Sequence, residues 1–527
     1  MNGLKKLLER LENRDMSFFG ALGSVFVILF LRNFIEIFAD ADNLWTPIST
    51  SGFFIHYPLF HLCFFVAITI VLSIMTRGKI LEVTRLSICF LPVVLLAPVL
   101  DLVLSAGSGY NMAYMFDDLP ILIQRYLTFT GGSHRGGATP GIRLELLVIF
   151  LFIGIYIYLK TRNPIRVMTG VILLYTFGFI LGALPSIVTI LWTGRSSAGE
   201  MARMFAGSIV LHHFYSFNLK ISLILLPVLL VLLAWWYRLY DNIKFAAILR
   251  NFRPKRALHY LCMSGIGMII GFARYPQSDF LESPFPSLIL FLSAISVALA
   301  WWFSVGENDI HDIKGDRVSN PERPLPSGIL QSSELRHLSL IILILSLVAA
   351  SVVRYSFFLP ILVSVGLSFI FSAPPFRLKR ILYLAPFIPA LCSLLVCLAG
   401  FIIFSKDYSF IGFPPWVMVT IFVGFSLAIT VKDIKDIEGD RLEVVKTIPV
   451  IFGERRGKHI IGILSIVAYL CVPILSHMLV LLPFSITFGG LTYRLITRKD
   501  FTEGPVFSLY YIFLAIVAIV VYFNIRQ

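Results

Sequence analysis

Asp309-Ile-His-Asp312-Ile-Lys-Gly315-Asp316-Arg317 returns later in the same chain as Asp433-Ile-Lys-Asp436-Ile-Glu-Gly439-Asp440-Arg441. Each copy follows a long apolar run and enters a basic, proline-containing segment. In the first copy Asn308, Asp312 and Asp316 are spaced i, i+4, i+8, which puts them on one stripe of a helix, with Asp309 beside Asp312 at i+3. In the second, Asp433, Asp436 and Asp440 follow i, i+3, i+7, again one face. Carboxylates stacked in this way repel one another and weaken a helix on its own. The pattern therefore calls for a positive charge.

Among metal ions, magnesium suits it best: a hard cation that takes oxygen ligands, usually one or two carboxylates together with substrate phosphates. A pair of such ions holding a diphosphate would account for two clusters. Calcium would want a compact twelve-residue loop, and zinc would want Cys or His; His311 is the only histidine in either copy. The plainer alternative is ion pairing with neighbouring Lys and Arg, and Lys314, Lys435 and Glu438 read as solvated or topological residues.

The remainder of the chain sets the stage. Of 527 residues, 57% are hydrophobic and only 14% charged, and the mean hydropathy is +0.86. Apolar runs of this length and number read as transmembrane helices. Candidate spans lie near 18–39, 53–75, 86–106, 142–159, 167–192 and 207–235, then near 257–273, 286–305, 338–353, 355–371, 381–403, 415–431, 459–475, 478–492 and 506–524. The fold class is thus an all-α polytopic membrane protein. The expected organisation is an N-terminal membrane domain over 1–240, a basic linker over 241–256 and a second membrane domain over 257–527.

The formal charge of +14 does not point to nucleic acid, because the basic residues gather between apolar runs. With the N-terminus in the cytoplasm, loops 76–85, 160–166, 236–256, 306–337, 372–380, 432–458 and 493–505 fall on the cytoplasmic side, and each carries Lys or Arg. Asp40 and Asp42 fall opposite. Fifteen spans put the C-terminus on the far side and both aspartate copies on the cytoplasmic one; in a prokaryote the membrane would be the plasma membrane. Cys63, Cys89, Cys262, Cys392, Cys397 and Cys471 all lie in apolar stretches without metal-ligand spacing and read as small core residues. The run from Phe18 is too long for a cleaved signal segment and no A-x-A site follows. Residues 1–15 instead read as a short amphipathic surface helix bearing Leu4, Leu7, Leu8 and Leu11.

Three further stretches belong with the acids. Asn320-Pro321-Glu322-Arg323-Pro324-Leu325-Pro326 stiffens the loop after the first copy and fixes where Arg323 points, a guanidinium suited to bidentate phosphate recognition. Lys446-Thr-Ile-Pro449 follows the second copy. Between them lies Ser372-Ala-Pro374-Pro375-Phe-Arg377-Leu-Lys379-Arg380, whose Arg377 and Lys379 suit a departing diphosphate.

NDIxDxxxDxxxNPxRPLPSG, SxPPxRLKR and DIxDxxGDR…KTxPVxxG, in that order over about 257–527, resemble the UbiA family of intramembrane prenyltransferases. The resemblance implies a nine-helix bundle with a central cavity opening sideways to lipid. It implies Mg2+, two ions, between the aspartate motifs and an isoprenyl diphosphate donor, and ionisation to an allylic cation that a hydrophobic acceptor attacks. Carried over, the metal set is Asn308, Asp309, Asp312, Asp316, Asp433, Asp436 and Asp440. Asp312, Asp436 and Lys379 carry the catalytic role, and Asn308, Arg323, Arg377, Lys379, Arg317 and Arg441 bind the donor. Phe371 stands where many members have tyrosine, so no phenol acts there. The wording of the motifs is nearest the branch of geranylgeranylglyceryl phosphate and chlorophyll synthases, with quinone-precursor prenylation as the main alternative acceptor class. Diphosphate leaves only if its charge is neutralised, and a carbocation survives only in a dry cavity. A transporter reading, suggested by the internal repeat, meets the difficulty that the acids lie at one membrane face and not at midplane. Another lipid-diphosphate enzyme, of the CDP-alcohol phosphotransferase kind, would need a DGxxAR-type motif, which is absent. Because the first copy alone has Asn308 and the proline-braced Arg323, the two halves of the clamp should have unequal duties.

The first 240 residues resemble nothing nameable. Arg32 and Glu36, His56, His61, Asp101, Glu145, His212, His213 and Lys220 are ionisable groups at membrane depth, and such groups are functional candidates unless paired. Gly131-Gly132-Ser133-His134-Arg135-Gly136-Gly137 could form an anion nest or a plain turn.

Overall fold

The computed structural model describes residues 2–39, 52–110, 113–129, 137–195, 198–205, 217–278, 280, 285–382, 384–405 and 409–526. Asp40, Asp42, His212, His213 and residues 131–136 lie outside them. Among the described residues there is no β-strand, and fifteen helices are long and apolar enough to cross a membrane, as hydropathy predicts. The chain forms two compact units, Met1–Asn242 and Ile243–Gln527. Six of the fifteen helices lie in the first and nine in the second. Proline opens several of them, at Pro140, Pro164, Pro254, Pro286 and Pro415, where its missing N–H and fixed φ cost nothing.

In the first unit the buried charges are mostly accounted for by bonds. Asp101 accepts the Thr139 hydroxyl and the Gly141 N–H (2.7 Å), so it caps the N-terminus of helix Pro140–Thr161 from a neighbouring helix. Glu145 accepts the Ala97 N–H at 3.2 Å, just past the 3₁₀ turn Leu91–Leu95. Arg32 pairs with Glu36 at 3.1 Å. His56 bonds to Asn218 (2.9 Å) and Tyr114, and His61 to Tyr57 O at 2.7 Å. The N-terminal helix Asn2–Glu12 is amphipathic as expected, but it packs into the unit. Leu8 joins a core with Leu86, Tyr156 and Ile157, and Glu12 is buried against Tyr156 Oη and Lys160 Nζ, both at 2.7 Å. The span expected at 167–192 is two helices, Pro164–Gly182 and Leu184–Thr193, because Pro185 cannot donate the next helical hydrogen bond.

The second unit is held by close backbone approach, as expected where lipid supplies no hydrophobic drive between helices. Helix Pro254–Arg274 meets helix Phe387–Phe404 at Gly267 and Gly400, where a Cβ on either would collide with the backbone carbonyl of Cys397 or Ser264. Helices Pro286–His311 and Ser332–Val353 exchange a reciprocal pair of bonds, Ser296 Oγ to Ser346 O at 3.0 Å and Ser346 Oγ to Ser296 O at 2.9 Å. The segment expected as a linker is itself structured: helix Asn242–Asn251 runs to Arg253, which takes a left-handed φ of 53° before Pro254.

Candidate functional site

The repeated sequence makes a repeated structure. Helix Pro286–His311 breaks at Asp312 (φ −111°, ψ 15°), and a short helix Ile313–Ser319 follows. A 3₁₀ turn Ile429–Ile434 continues helix Pro415–Ala428, the break falls at Asp436 (φ −99°, ψ 14°), and helix Ile437–Leu442 follows. The two short helices cross at their glycines. A Cβ on Gly315 would lie 3.2 Å from Gly439 O, and one on Gly439 would lie 3.2 Å from Gly315 O. The hydrogen bonds at the crossing are reciprocal: Gly439 N–H donates to Ser319 Oγ and Gly315 N–H to Glu443 Oε1, both at 3.1 Å. In each copy the acceptor stands four residues after the glycine. Asn320 adds a third tie, donating to Asp316 (3.2 Å) and Asp436 (3.4 Å) and accepting from Lys435 (3.2 Å).

This crossing aims Asp312, Asp316, Asp433, Asp436 and Asp440 into one polar cavity of ≈ 490 Å³, whose wall also holds Asn308, Arg323, Lys379, Lys432, Glu443 and Lys446. A second cavity of ≈ 300 Å³, lined mostly by apolar and aromatic side chains, shares Arg253, Arg256, Asn308, Phe371, Ile429 and Lys432 with it. Phe371 thus lies between the two, with Lys432 Nζ 5.4 Å from its ring centroid, a cation–π contact.

The two sets of acids carry different counter-charges. Asp312 receives Lys379, Arg377 (2.8 Å) and the Asn308 amide (2.7 Å). Burial pushes its proton affinity up, yet Lys379 and Arg377 outweigh that and hold it below the usual carboxylate range. Arg377 takes a left-handed φ of 45° and is fixed there by His311 O, Asp312 and Glu443, at 2.8 to 2.9 Å. Arg323 pairs with Asp316; burial still keeps that carboxyl above its ordinary value, and one of its oxygens has no hydrogen bond. Asp433, Asp436 and Asp440 form no ion pair with a described residue. Burial and the charges of Asp433 and Asp436 push Asp440 up to about 7.

Four expected residues do not line the polar cavity. Asp309 does not line the polar cavity: it is buried against Asn251 (2.9 Å), Arg253 and Arg323 (3.5 Å), so it anchors the supposed linker. It lies about 100° round the helix from Asn308, which does line both cavities. Arg317 and Arg441 are exposed and absent from either cavity wall, since each follows an inward-facing aspartate by one residue. Arg377 acts on the cavity through Asp312 and Glu443 and does not line it. Conversely, Gly315, Gly439, Ser319, Asn320, Glu443, Asn251, Arg253 and Lys432 escaped sequence reasoning. The doubled Gly-Asp was the one visible signal for the crossing.

A divalent cation suits this donor set. Among the described residues no three Asp, Glu, His or Cys side chains converge into a ready cage, but a magnesium ion needs only one or two carboxylates beside substrate phosphate and water. The mutually repelling second set and the unbonded Asp316 oxygen supply hard oxygen donors in want of charge.

A model of the UbiA prenyltransferase family matches residues 280–517. The chain is 26% identical over 191 residues to digeranylgeranylglyceryl phosphate synthase of Methanosphaera stadtmanae, covering 36% of this chain and 66% of that one. It is 30% identical over 189 residues to homogentisate phytyltransferase of Synechocystis, covering 33% and 58%. It is 29% identical over 153 residues to the bacteriochlorophyll synthase 33 kDa chain of Rhodobacter capsulatus, covering 28% and 50%. The chain therefore spans half to two thirds of the length of these relatives. A solved structure of a UbiA homolog from Archaeoglobus fulgidus bound to GPP and Mg2+ aligns at 22% identity and a TM-score of 0.43, over 53% of this chain and 99% of that one. The C-terminal half of the chain carries a UbiA prenyltransferase family domain.

Proposed function

We propose that the C-terminal unit transfers the prenyl group of an isoprenyl diphosphate to a lipophilic or amphiphilic acceptor, with Mg2+ as cofactor and release of diphosphate. One observation carries this reading: a polar cavity walled by five aspartates abuts an apolar cavity through a shared rim. The first fits a diphosphate with its metal ions and the second fits an isoprenoid tail. Asn308, Asp312, Asp316, Asp433, Asp436 and Asp440 would hold two Mg2+ ions, which when bound neutralise the charge that develops on the leaving diphosphate. The remaining work falls to the chain. Lys379 and Lys432, both on the cavity wall, bind phosphate oxygens, as does Arg323 once Asp316 is engaged elsewhere. The apolar cavity excludes water while the donor's C1 carries positive charge, and its aromatic faces stabilise that charge. Two named relatives, a digeranylgeranylglyceryl phosphate synthase and a homogentisate phytyltransferase, support transfer of a prenyl chain. The basic loops 372–380 and 432–458 support a site open to the cytoplasm. Residues 1–240 form a membrane domain of their own in this reading.

The test uses purified protein with Mg2+, prenyl diphosphates from dimethylallyl to geranylgeranyl, and a membrane lipid extract, with products followed by mass spectrometry. Diphosphate release should require Mg2+ and vanish in Asp312→Ala and Asp436→Ala; release that survives either change refutes the proposal.

A further inference from the structure

The N-terminal helix Asn2–Glu12 is held in one orientation by a charge that it buries. Glu12, its last residue, is only 4% exposed. Its carboxylate accepts from the Tyr156 hydroxyl and the Lys160 ammonium, both at 2.7 Å. Leu8, one turn earlier, is buried in one core with Val83, Leu86 and Ile153. The docked face therefore runs from Leu8 to Glu12, and the helix cannot roll without leaving a carboxylate unpaired in an apolar core.

With that face fixed, the helical step places every other side chain. Leu4, Leu11 and Leu7 fall about 40°, 60° and 100° to one side of Leu8, and Leu4 and Leu7 are 45% and 50% exposed. Lys5 and Glu9 fall about 60° and 100° to the other side. Lys6 and Arg10 lie about 160° from Leu8, pointing away from the bundle. All four of these polar residues are exposed.

The helix packs on helix Ile80–Phe90 and, through Glu12, on the end of helix Pro140–Thr161. The segments gathered at this end of the first unit, 1–15, 76–85 and 160–166, carry ten Lys and Arg against four Asp and Glu. The field here is positive, and the positive-inside bias assigns this end to the cytoplasm. A leucine flank left exposed beside a docked face has one apolar medium to enter, the acyl layer of the membrane. Turning that flank into the bilayer puts Lys5 and Glu9 towards water and Lys6 and Arg10 sideways in the headgroup layer. Those two cations stand one turn apart, with Cβ atoms about 5–6 Å from each other, a spacing that destabilises a bare helix. Neither has an ion-pair partner among the described residues. An anion between them would relieve the repulsion, and a guanidinium beside an ammonium suits phosphate oxygens.

We infer that Lys6 and Arg10 hold the phosphate of an anionic phospholipid whose acyl chains run along Leu7 and Leu4. The leucine flank selects a lipid, since a free phosphate would leave it uncovered. The surrounding positive field selects a lipid of net negative charge, since a zwitterionic headgroup would bring its own cation into that field. The site belongs to the first unit and is independent of prenyl transfer. Because Glu12 ties this helix to the bundle, a lipid bound here stabilises the unit as well as the helix.

The experiment takes the full chain in uncharged detergent and titrates it with phosphatidylglycerol, phosphatidylcholine or inorganic phosphate. Bound lipid is counted by native mass spectrometry, and stability is read from melting. Phosphatidylglycerol should bind more tightly than phosphatidylcholine and raise the melting temperature. Lys6→Gln/Arg10→Gln should weaken phosphatidylglycerol binding about 30-fold and cancel its effect on melting. Leu7→Gln, which keeps every charge, should weaken it about fivefold. Lys5→Gln/Arg77→Gln removes the same charge from the same end at other positions and should cost less than about threefold. The inference is overturned if that control pair loses as much as Lys6→Gln/Arg10→Gln, which would leave diffuse charge as the whole effect. It is equally overturned if Lys6→Gln/Arg10→Gln binds like the wild type, if phosphatidylcholine binds as tightly as phosphatidylglycerol, or if inorganic phosphate raises melting as much as the lipid does.

Discussion

Substituting alanine for Gly439 tests the crossing on which the whole site depends. The added Cβ would lie 2.5 Å from Ser319 Oγ, 3.2 Å from Gly315 O and 3.4 Å from Gly315 C. The first distance is impossible without movement, and the second leaves only a few tenths of an ångström. Overpacking of this kind costs about 1–3 kcal/mol. Ser319 cannot simply rotate away, because its hydroxyl accepts the Gly439 N–H, and an orphaned buried N–H costs about 1–3 kcal/mol. The short helices must therefore part. Asp316 and Asp440 each follow one of these glycines, so their carboxylates move with the backbone. A displacement near 1 Å at reacting groups lowers rate by about 10²-fold. Gly439→Ala should accordingly lower the melting temperature and cut diphosphate release by about two orders of magnitude. The double variant Gly439→Ala/Ser319→Ala removes the atom at 2.5 Å and should regain part of both losses, although Ser319→Ala alone is harmful. Such a sign change in a double-mutant cycle arises between groups in contact or joined by one network or backbone shift. Additive losses, or a Gly439→Ala variant with wild-type rate and melting, would refute the crossing.

Other consequences follow from the charges. Glu443→Ala removes one partner of a nearly buried pair with Arg377 and also the acceptor of the Gly315 N–H. Arg377 keeps Asp312 and the His311 carbonyl, so the loss is that of one charged hydrogen bond and one orphaned N–H, about 1.5–3 kcal/mol; the variant should melt below the wild type, and equal melting would show that Glu443 is idle. Lys379→Met leaves Asp312 with Arg377 alone and should raise the proton affinity of Asp312; a drop in diphosphate release of at least tenfold is expected, read in a steady-state assay. The pH dependence turns on Asp440. Its folded-state value, about 7, is raised, so its contribution to the stability of the metal-free protein is full below the ordinary carboxylate range and is lost as pH rises through 7. Metal-free protein should therefore melt lower at pH 8 than at pH 6, and Mn2+ as probe should bind more tightly at pH 8, releasing a proton at pH 6 that calorimetry in two buffers can count. Asp440→Asn should weaken both trends.

The fifteen spans were legible because the signal for a membrane helix is one-dimensional: length and hydropathy suffice. What went astray was decided by neighbours distant in sequence. The run at 167–192 is continuous in hydropathy, yet Pro185 divides it. Asp309 sits in the motif like its fellow acids, but Asn251 and Arg253, from a stretch whose composition says only basic and polar, turn it into an anchor. Arg317 and Arg441 show the opposite error, since proximity in sequence to an inward aspartate guarantees that a helical neighbour faces elsewhere. Asn320 and Glu443 have no signature of their own, being an amide before a proline and an acid beyond the second motif. The bond between His259 and Tyr510 joins residues 251 positions apart, which no local pattern records.

The doubling itself needed the structure to be understood. Read as chemistry, the repeat is a set of acids; read as packing, it is two glycines, each followed by an aspartate, and each paired with an acceptor one turn later. Close approach of the backbones at Gly315 and Gly439 is what forces Asp316 and Asp440 into one cavity, so the glycines and the acids are two parts of a single device. Symmetry then ends at the counter-charges. Arg323, Arg377 and Lys379 already hold the first set, while the second set has no ion pair among the described residues. A divalent cation arriving at this cavity gains most where the carboxylates are uncompensated, beside Asp433, Asp436 and Asp440. The first set can follow only when its arginine and lysine partners exchange carboxylate for another anion. A diphosphate is such an anion, and that exchange would couple occupation of the first aspartate set to the presence of the donor.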